Sequence, residues 1–197
     1  MTHAFATTRS GTSRGLGLIG IVGGIALLTA FLVDIPTDAN VVRIVLYNLG
    51  GIAVIVAVHR RQVSMSPMIA WVVAVVAVLA NALLAAREIL PYGPWHPFVG
   101  TGLTYFNLGI AMWLTDAAFG LVTLRLAVVT RLGALVLTIG SVLALTGVDG
   151  LGLTSGAAPT VFGPISLIGI ALNGIGWILL GFDVATRPRS ALPEATA

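Results

Sequence analysis

The chain lacks cysteine altogether, and charged residues make up only 9% of its 197 residues. Its ten positive charges are all arginine, so lysine is absent as well. Without cysteine the chain cannot build a disulfide, a thiolate metal site or a cysteine-ligated iron–sulfur cluster from its own residues. Without lysine it cannot anchor a retinal-type or pyridoxal phosphate Schiff base. Thiol redox chemistry and lysine-anchored cofactors are therefore excluded.

Common catalytic and metal-binding motifs are also missing. No Walker A, GxSxG or HExxH pattern occurs, so the sequence shows no signature of a P-loop ATPase, an α/β-hydrolase or a zincin. His3 lies in the N-terminal segment, His59 at the end of an apolar segment and His96 in a loop. His59 and His96 are expected on opposite sides of a membrane, where they cannot share a metal or a haem. We predict no catalytic residue, no metal site and no cofactor, and the sequence resembles no family that we can name.

Hydrophobic residues make up 57% of the chain and form long, uninterrupted runs. A transmembrane helix needs about 20 mostly apolar residues to cross roughly 30 Å of hydrocarbon. Six segments meet this requirement, and none shows the alternating pattern of a β-barrel strand. We therefore predict an all-α, polytopic membrane protein, a six-transmembrane-helix bundle that would consist of three helical hairpins. The predicted spans are residues 15–33, 42–58, 68–86, 102–120, 127–148 and 163–184.

The arginines set the predicted orientation. If both termini are cytoplasmic, eight of the ten arginines lie on the cytoplasmic side, as the positive-inside rule requires. The transmembrane domain, residues 15–184, would then be flanked by cytoplasmic tails at residues 1–14 and 185–197, whose polar composition predicts disorder. Exclusive use of arginine, with abundant alanine, valine and glycine, is typical of a G+C-rich bacterial genome, so we expect a bacterial inner membrane. The net positive charge is explained by the arginines that the predicted topology places in the cytoplasm. We therefore predict no nucleic-acid partner.

Asparagines recur inside the apolar segments. Asn48 lies in VLYNLGGIAVIV, Asn107 in TYFNLGIAMWL and Asn173 in IALNGIGWILL, and Asn81 occupies the third span. These segments would be equivalent in a threefold hairpin repeat, although glycine, leucine and isoleucine are common enough in membrane helices for chance to give the same resemblance. Amide hydrogen bonds between membrane helices contribute roughly 0.6–2 kcal/mol each. The four asparagines either hold the helices together or line a ligand-binding path.

The acidic residues of the spans are expected near the membrane surfaces. We place Asp116 and Asp183 in the last turn of the fourth and sixth spans, close to cytoplasmic arginines, and Arg87 and Glu88 near the outer end of the third. All four are interpreted as interfacial charges. Because this leaves no carboxylate at the bilayer centre, transport coupled to protons or sodium through a buried acid is not expected.

The segment REILPYGPWHPFVGT, residues 87–101, is the most distinctive part of the sequence outside the spans. Its prolines prevent a continuous helix, so we predict a stiff loop at the outer surface. Tyr92, Trp95 and His96 would either anchor this loop at the headgroup level or form a lid over a path between helices.

Three functions remain open from the sequence. The first is a binder or carrier of a neutral or lipid-like small molecule that uses the asparagines as polar contacts. The second is a noncatalytic subunit of a larger membrane complex, or a homo-oligomer. The third is an intramembrane enzyme acting on an isoprenoid or phospholipid, for which Asp116 and Asp183 are the candidate acid–base pair. We rank them in this order, and the expected partners are the bilayer, the small molecule and a membrane protein.

Overall fold

The structure, a computed structural model, describes residues 2–32, 37–89, 105–146 and 164–187. Over these ranges the chain forms α-helices and no β-strand. The six helices are α1 (Thr2–Leu32), α2 (Thr37–Gln62), α3 (Pro67–Ile89), α4 (Tyr105–Leu126), α5 (Arg131–Thr146) and α6 (Pro164–Thr186). The prediction of an all-α, six-helix bundle is confirmed.

Five of these helices are long and apolar enough to cross a membrane. The exception is α5, whose 16 residues extend about 24 Å at 1.5 Å per residue. A helix suits such apolar segments because it satisfies every interior backbone N–H and C=O without help from solvent, which lipid cannot give. The fold is that of a membrane-embedded helical bundle.

Several helix boundaries differ from the predicted spans, and α2 extends beyond its span at both ends, from Thr37 to Gln62. α1 begins at Thr2, so the backbone of residues 2–14, which we predicted to be a disordered tail, continues the first helix. α4 extends past the predicted end at Gly120 to Leu126, because the intervening residues contain neither proline nor a further glycine. α5 begins at Arg131 instead of Ala127: Ala127 has a positive φ of 51°, and the turn after it buries Val128 and Val129.

The six helices pack as a closed ring in which each contacts its neighbours in the sequence and α1 contacts α6. α2 also contacts α4 and α6 across the middle of the ring. The core lies where these helices meet, and its largest enclosed side chains include Tyr47, Ile55, Phe119, Leu137 and Trp177. The even-numbered helices therefore present side chains to a common interior.

Glycines let several pairs of helices approach closely, and two of these approaches illustrate the effect. A Cβ added at Gly23 of α1 would lie 2.7 Å from the Cα of Gly50 on α2. A Cβ at Gly140 of α5 would collide with the backbone of Asn173 on α6. Such contact matters in a membrane because helix association there depends on close packing and not on a hydrophobic drive. The second approach also positions a polar side chain of the site described below.

One end of the bundle carries six arginines of the described residues, and we call it the arginine end. α2, α4 and α6 end there, α3 and α5 begin there, and Gly17 of α1 packs there against α6; the arginines are Arg14, Arg60, Arg61, Arg125, Arg131 and Arg187. The short turn between α2 and α3 lies at this end, with Pro67 as the first helical residue of α3, a position where its missing N–H leaves no helical hydrogen bond unmade.

Candidate functional site

Asp116 lies close to the midpoint of α4, and its exposure is 0%. This position differs from the one expected from the sequence, which was the last turn of the helix. The difference arises because α4 continues well beyond Gly120. A carboxyl group in the middle of a membrane helix is costly, and such groups usually mark functional sites. The expectation that the bilayer centre contains no carboxylate therefore does not hold for this arrangement.

Polar side chains from three other helices face this carboxyl group, and one from a fourth helix joins them through Asn173. Together they form what we call the polar cluster: Tyr47 of α2, Asn81 of α3, Asp116 of α4, Ser141 of α5, and Asn173 and Trp177 of α6. Each of these residues is at most 2% exposed. The cluster is therefore enclosed by the bundle on all sides.

Asp116 has a hydrogen-bonding neighbour at each oxygen. Asn81 Nδ2 donates to Asp116 Oδ1 at 3.1 Å and also to the carbonyl of Ala77 in its own helix. Tyr47 Oη lies 3.2 Å from Asp116 Oδ2 and 3.0 Å from Asn173 Oδ1. Tyr47 thus links the carboxyl group on α4 to the amide on α6.

The chain of contacts continues from Asn173 to α5. Asn173 Nδ2 donates to Ser141 Oγ at 2.8 Å, and Ser141 Oγ donates to the carbonyl of Leu137 at 2.8 Å. Gly140 makes this possible, since it lets the backbone at Asn173 come up against α5. A continuous chain of polar contacts therefore runs from α4 through α2 and α6 to α5.

The number of available protons constrains this chain. The Tyr47 hydroxyl has one proton and cannot donate to both Asp116 and Asn173. With the Asn173 amide in this orientation, pairing its Oδ1 uses the Tyr47 proton, and the contact between Tyr47 Oη and Asp116 Oδ2 is then complete only if Asp116 donates a proton from Oδ2. This is the proton-bound arrangement, and every contact in it has one donor and one acceptor.

A second complete arrangement exists when the Asn173 amide turns by 180°. Its Nδ2 then donates to Tyr47 Oη, the Tyr47 hydroxyl donates to an ionised Asp116, and the Ser141 hydroxyl donates to Asn173 Oδ1. The heavy atoms of the cluster keep their places. The same residues can therefore hold Asp116 with or without its proton, through rotation of one amide and two hydroxyl groups.

Two polar atoms beside this chain have no hydrogen-bond partner. Asn81 Oδ1 and Trp177 Nε1 are both buried and unpaired. Trp177 lies close to the Asp116 carboxyl, but its N–H falls short of a hydrogen bond to it. Both side chains pack over Gly51 of α2: a Cβ there would lie 3.1 Å from Asn81 Oδ1 and 3.7 Å from the Trp177 indole ring. An unpaired acceptor and an unpaired donor therefore lie near one glycine.

No family model matches the chain, and neither the curated proteins nor the solved structures give a match. The chemistry of the polar cluster therefore has to be inferred from its own groups. The groups that face Asp116 are Tyr47 from α2, Asn81 from α3, and Asn173 and Trp177 from α6. Across the described ranges no arginine or histidine contacts Asp116. Any negative charge on Asp116 is thus balanced by dipoles alone.

Of the four asparagines predicted to bind a ligand, the structure brings two together. Asn81 and Asn173 belong to the polar cluster. Asn48 is fully buried but donates only to the carbonyl of Ile44 in its own helix, and its Oδ1 is unpaired. Asn107 is in the first turn of α4, but its side chain lies outside the part of the chain that the structure describes, so its predicted role stays a prediction.

The other predicted site residues fall into two groups. Asp183 lies in the last turn of α6 at the arginine end, as expected. Arg87 and Glu88 are near the end of α3, with side chains outside the described set, and Tyr92, Trp95 and His96 lie wholly outside the described residues. The interfacial, anchor and lid roles given to these five residues stay predictions.

Asp183 forms a separate polar network. Its Oδ1 is 2.8 Å from Arg187 Nε, and its Oδ2 is 3.8 Å from Arg61 Nη1 and accepts from the Thr130 backbone N–H at 3.3 Å. Arg61 is buried and also donates to the carbonyls of Val184 and Arg187. This network joins the ends of α2 and α6 to the start of α5.

An apolar layer separates the two networks. Phe119 and Trp177 stack with ring centroids 6.0 Å apart, and both are fully buried together with Leu180. Asp116 and Asp183 share no hydrogen-bond partner in the described residues. The hypothesis that the two form the acid–base pair of an intramembrane enzyme stays a prediction.

Sequence reasoning missed Tyr47, Ser141 and Trp177. Tyr47 directly precedes Asn48 in the sequence, but a tyrosine in an apolar run is common enough that it did not mark a polar site. Ser141 follows Gly140, and on α6 Asn173 and Trp177 are four residues apart and so lie on one face. These spacings are visible in the sequence, but nothing in it says which helix each face meets.

Proposed function

We propose that the protein is a proton-linked membrane carrier, in which Asp116 binds and releases a proton and the cargo is a neutral or lipid-like small molecule. The observation that carries the proposal is the enclosed carboxyl group at the midpoint of α4, held by a hydrogen-bond chain that is complete with or without its proton. Intramembrane carboxylates that lack a cationic partner are typical of proton pathways.

A proton suits this site better than a bulky resident ligand. All six side chains of the polar cluster are enclosed, and the glycines at 51 and 140 bring neighbouring helices into close contact there. A proton needs no cavity. It reverses the hydrogen bonds that Tyr47 and Asn173 make between different helices and decides whether an enclosed charge lies between α2, α4 and α6, so the two proton states differ in the free energy needed to separate these helices. Conformational coupling requires such differential contacts in two states.

The cargo is inferred from the two unpaired atoms. Asn81 Oδ1 can accept and Trp177 Nε1 can donate one hydrogen bond each, which matches a molecule with both a donor and an acceptor and no charge. An anionic cargo would have to share this enclosed interior with the carboxyl group of Asp116 at a high desolvation cost. Because the cluster is enclosed, the cargo would enter in a conformation in which the helices separate.

The proposed orientation places the arginine end in the cytoplasm of a bacterial cell, with both termini on that side. Six of the ten arginines lie at this end, against Arg43 and Arg87 at the other, and the positive-inside rule associates such a bias with the cytoplasmic face. Asp183 and Arg61 would then tie the helices together at the cytoplasmic surface while the polar cluster changes its proton content.

Proton binding can be tested by infrared difference spectroscopy of purified protein in detergent during a pH titration. We expect a protonated-carboxyl C=O band that the Asp116→Asn variant lacks and that the matched control Asn48→Ala retains, because Asn48 is also buried but bonds only within α2. A titration that is identical in the Asp116→Asn variant would reject the proposal.

The carrier function can be tested with the protein as it comes from its own membrane. Native mass spectrometry should show a retained small molecule, and that compound should drive proton uptake into proteoliposomes containing the unaltered protein but not the Asp116→Asn variant. A stoichiometric retained protein instead of a small molecule would favour an accessory subunit and count against a carrier.

A further inference from the structure

We propose that a groove between α2 and α3 binds the acyl chain of an anionic membrane lipid, with the lipid headgroup at His59 and Arg60. The groove has a volume of about 600 Å³. Its walls are mostly apolar side chains of the two helices, among them Ile55, Val56, Trp71, Val75, Val78 and Leu79. This site is separate from the polar cluster, since no cluster residue lines it.

The groove faces lipid along most of its length. Its lining residues belong to the candidate membrane spans Val42–Gln62 and Met68–Ala86, apart from Val63 at the turn. Trp71, Val75 and Leu79 are exposed and recur every four residues, so they form one face of α3. From Ile55 to Val63 the groove extends about 12 Å at 1.5 Å per residue, starting from the arginine end. A lipid acyl chain fits this shape and this apolar lining.

The polar end of the groove indicates the charge of the headgroup. His59 and Arg60 line it there, and no acidic residue does. His59 Nδ1 is buried and has no hydrogen-bond partner, while its ring packs edge-on against Trp71 at a centroid distance of 4.6 Å. Polar groups are costly to bury without a partner, and a headgroup oxygen can accept a hydrogen bond from an imidazole N–H.

The two adjacent arginines at this end of the groove lie in different environments. Arg61 is buried and bonds to α6 through Asp183 and two backbone carbonyls. Arg60 is exposed and borders the groove. A basic side chain at this depth attracts an anionic lipid by about 1 kcal/mol. The groove therefore combines an apolar channel for a chain with a positive charge for a phosphate, which is the chemistry of an anionic phospholipid.

Quenching of tryptophan fluorescence can test this site. The protein would be reconstituted in phosphatidylcholine vesicles containing a small fraction of brominated phosphatidylglycerol or, as the comparison, brominated phosphatidylcholine. We expect the anionic lipid to quench more strongly, and the difference to disappear in the Trp71→Phe variant. Equal quenching by the two brominated lipids would overturn the proposal.

Variants separate specific binding from general lipid contact. Arg60→Gln should lower the preference for the anionic lipid about fivefold, the equivalent of about 1 kcal/mol. Val75→Phe should block the groove and reduce quenching by the anionic lipid, whereas Val76→Phe is the matched control, because Val76 is similarly exposed at 47% against 42% but does not line the groove. Equal quenching in the two phenylalanine variants would contradict the site.

The lipid site and the proton-linked carrier can be tested separately. The Asp116→Asn variant should keep its preference for the anionic lipid, because Asp116 does not line the groove. Loss of the preference in that variant would contradict a separate lipid site, while its infrared titration would still report on the carrier proposal.

Discussion

Asp116→Asn should change the stability of the bundle far less than Tyr47→Phe, although it removes the ionisable group. Asparagine has the shape of a protonated aspartic acid. Its carbonyl oxygen can accept from Asn81 Nδ2, and its amide can donate to Tyr47 Oη, as the protonated carboxyl does. The Tyr47 proton then remains available for Asn173. We expect the free energy of unfolding to change by less than about 1 kcal/mol.

Tyr47→Phe removes two contacts at once. The hydroxyl lies 3.2 Å from Asp116 Oδ2 and 3.0 Å from Asn173 Oδ1, and its loss leaves both buried oxygens without that partner. Hydrogen bonds between membrane helices contribute about 0.6 kcal/mol on average and about 1.7 kcal/mol at most. For two contacts we therefore expect a loss of about 1–3 kcal/mol.

Both changes can be measured by reversible unfolding in mixed micelles of a mild detergent and sodium dodecyl sulfate, followed by circular dichroism. A double-mutant cycle between the two substitutions reports their coupling. The reasoning would be refuted if Asp116→Asn were as destabilising as Tyr47→Phe, because asparagine would then not reproduce the hydrogen bonds of the proton-bound arrangement.

Three further predictions concern packing, the arginine end and topology. Gly140→Ala should destabilise the bundle by about 1–3 kcal/mol in the same unfolding assay, because the added Cβ would meet the α6 backbone. Gly109→Ala is the control and should be neutral or slightly stabilising, because nothing lies within 4 Å of its Cβ. Equal effects of the two substitutions would contradict the close approach of α5 and α6. Arg61→Gln should lower the free energy of unfolding by about 3–5 kcal/mol, because it leaves a buried aspartate with a weakened ion pair. Arg187→Gln should lower it by at most about 1 kcal/mol, because the Arg187 side chain is 61% exposed. The reverse order would count against the buried network. In this naturally cysteine-free chain, Ser64→Cys in the α2–α3 turn should resist a membrane-impermeant maleimide added to intact cells, and ready labelling would place the arginine end outside.

The helices were predictable because their signal is local. Each apolar run is long enough to cross a bilayer, and lipid forces such a run to satisfy its own backbone, so composition and length were sufficient to place α3 and α6 within three residues at each end. The end of α4 was not predictable in the same way. We ended the span at Gly120, but glycine is tolerated inside membrane helices when packing compensates, and Gly120 lies against Thr138 of α5. That one boundary moved Asp116 from the expected surface to the interior.

The sequence by itself determined that this protein is a bundle of apolar helices. It also singled out Asn81 and Asn173 as amides that need hydrogen-bond partners inside an apolar bundle. It could not determine which amides would meet, because an amide on a helix can face lipid, its own backbone or another helix, and Asn48 and Asn173 look alike along the chain. Tertiary structure decided that Asn48 bonds within α2 while Asn173 reaches Tyr47 and Ser141. The physical reason is that hydrogen bonds between helices depend on the rotation and separation of helix pairs, which are set by glycine contacts far apart in the sequence.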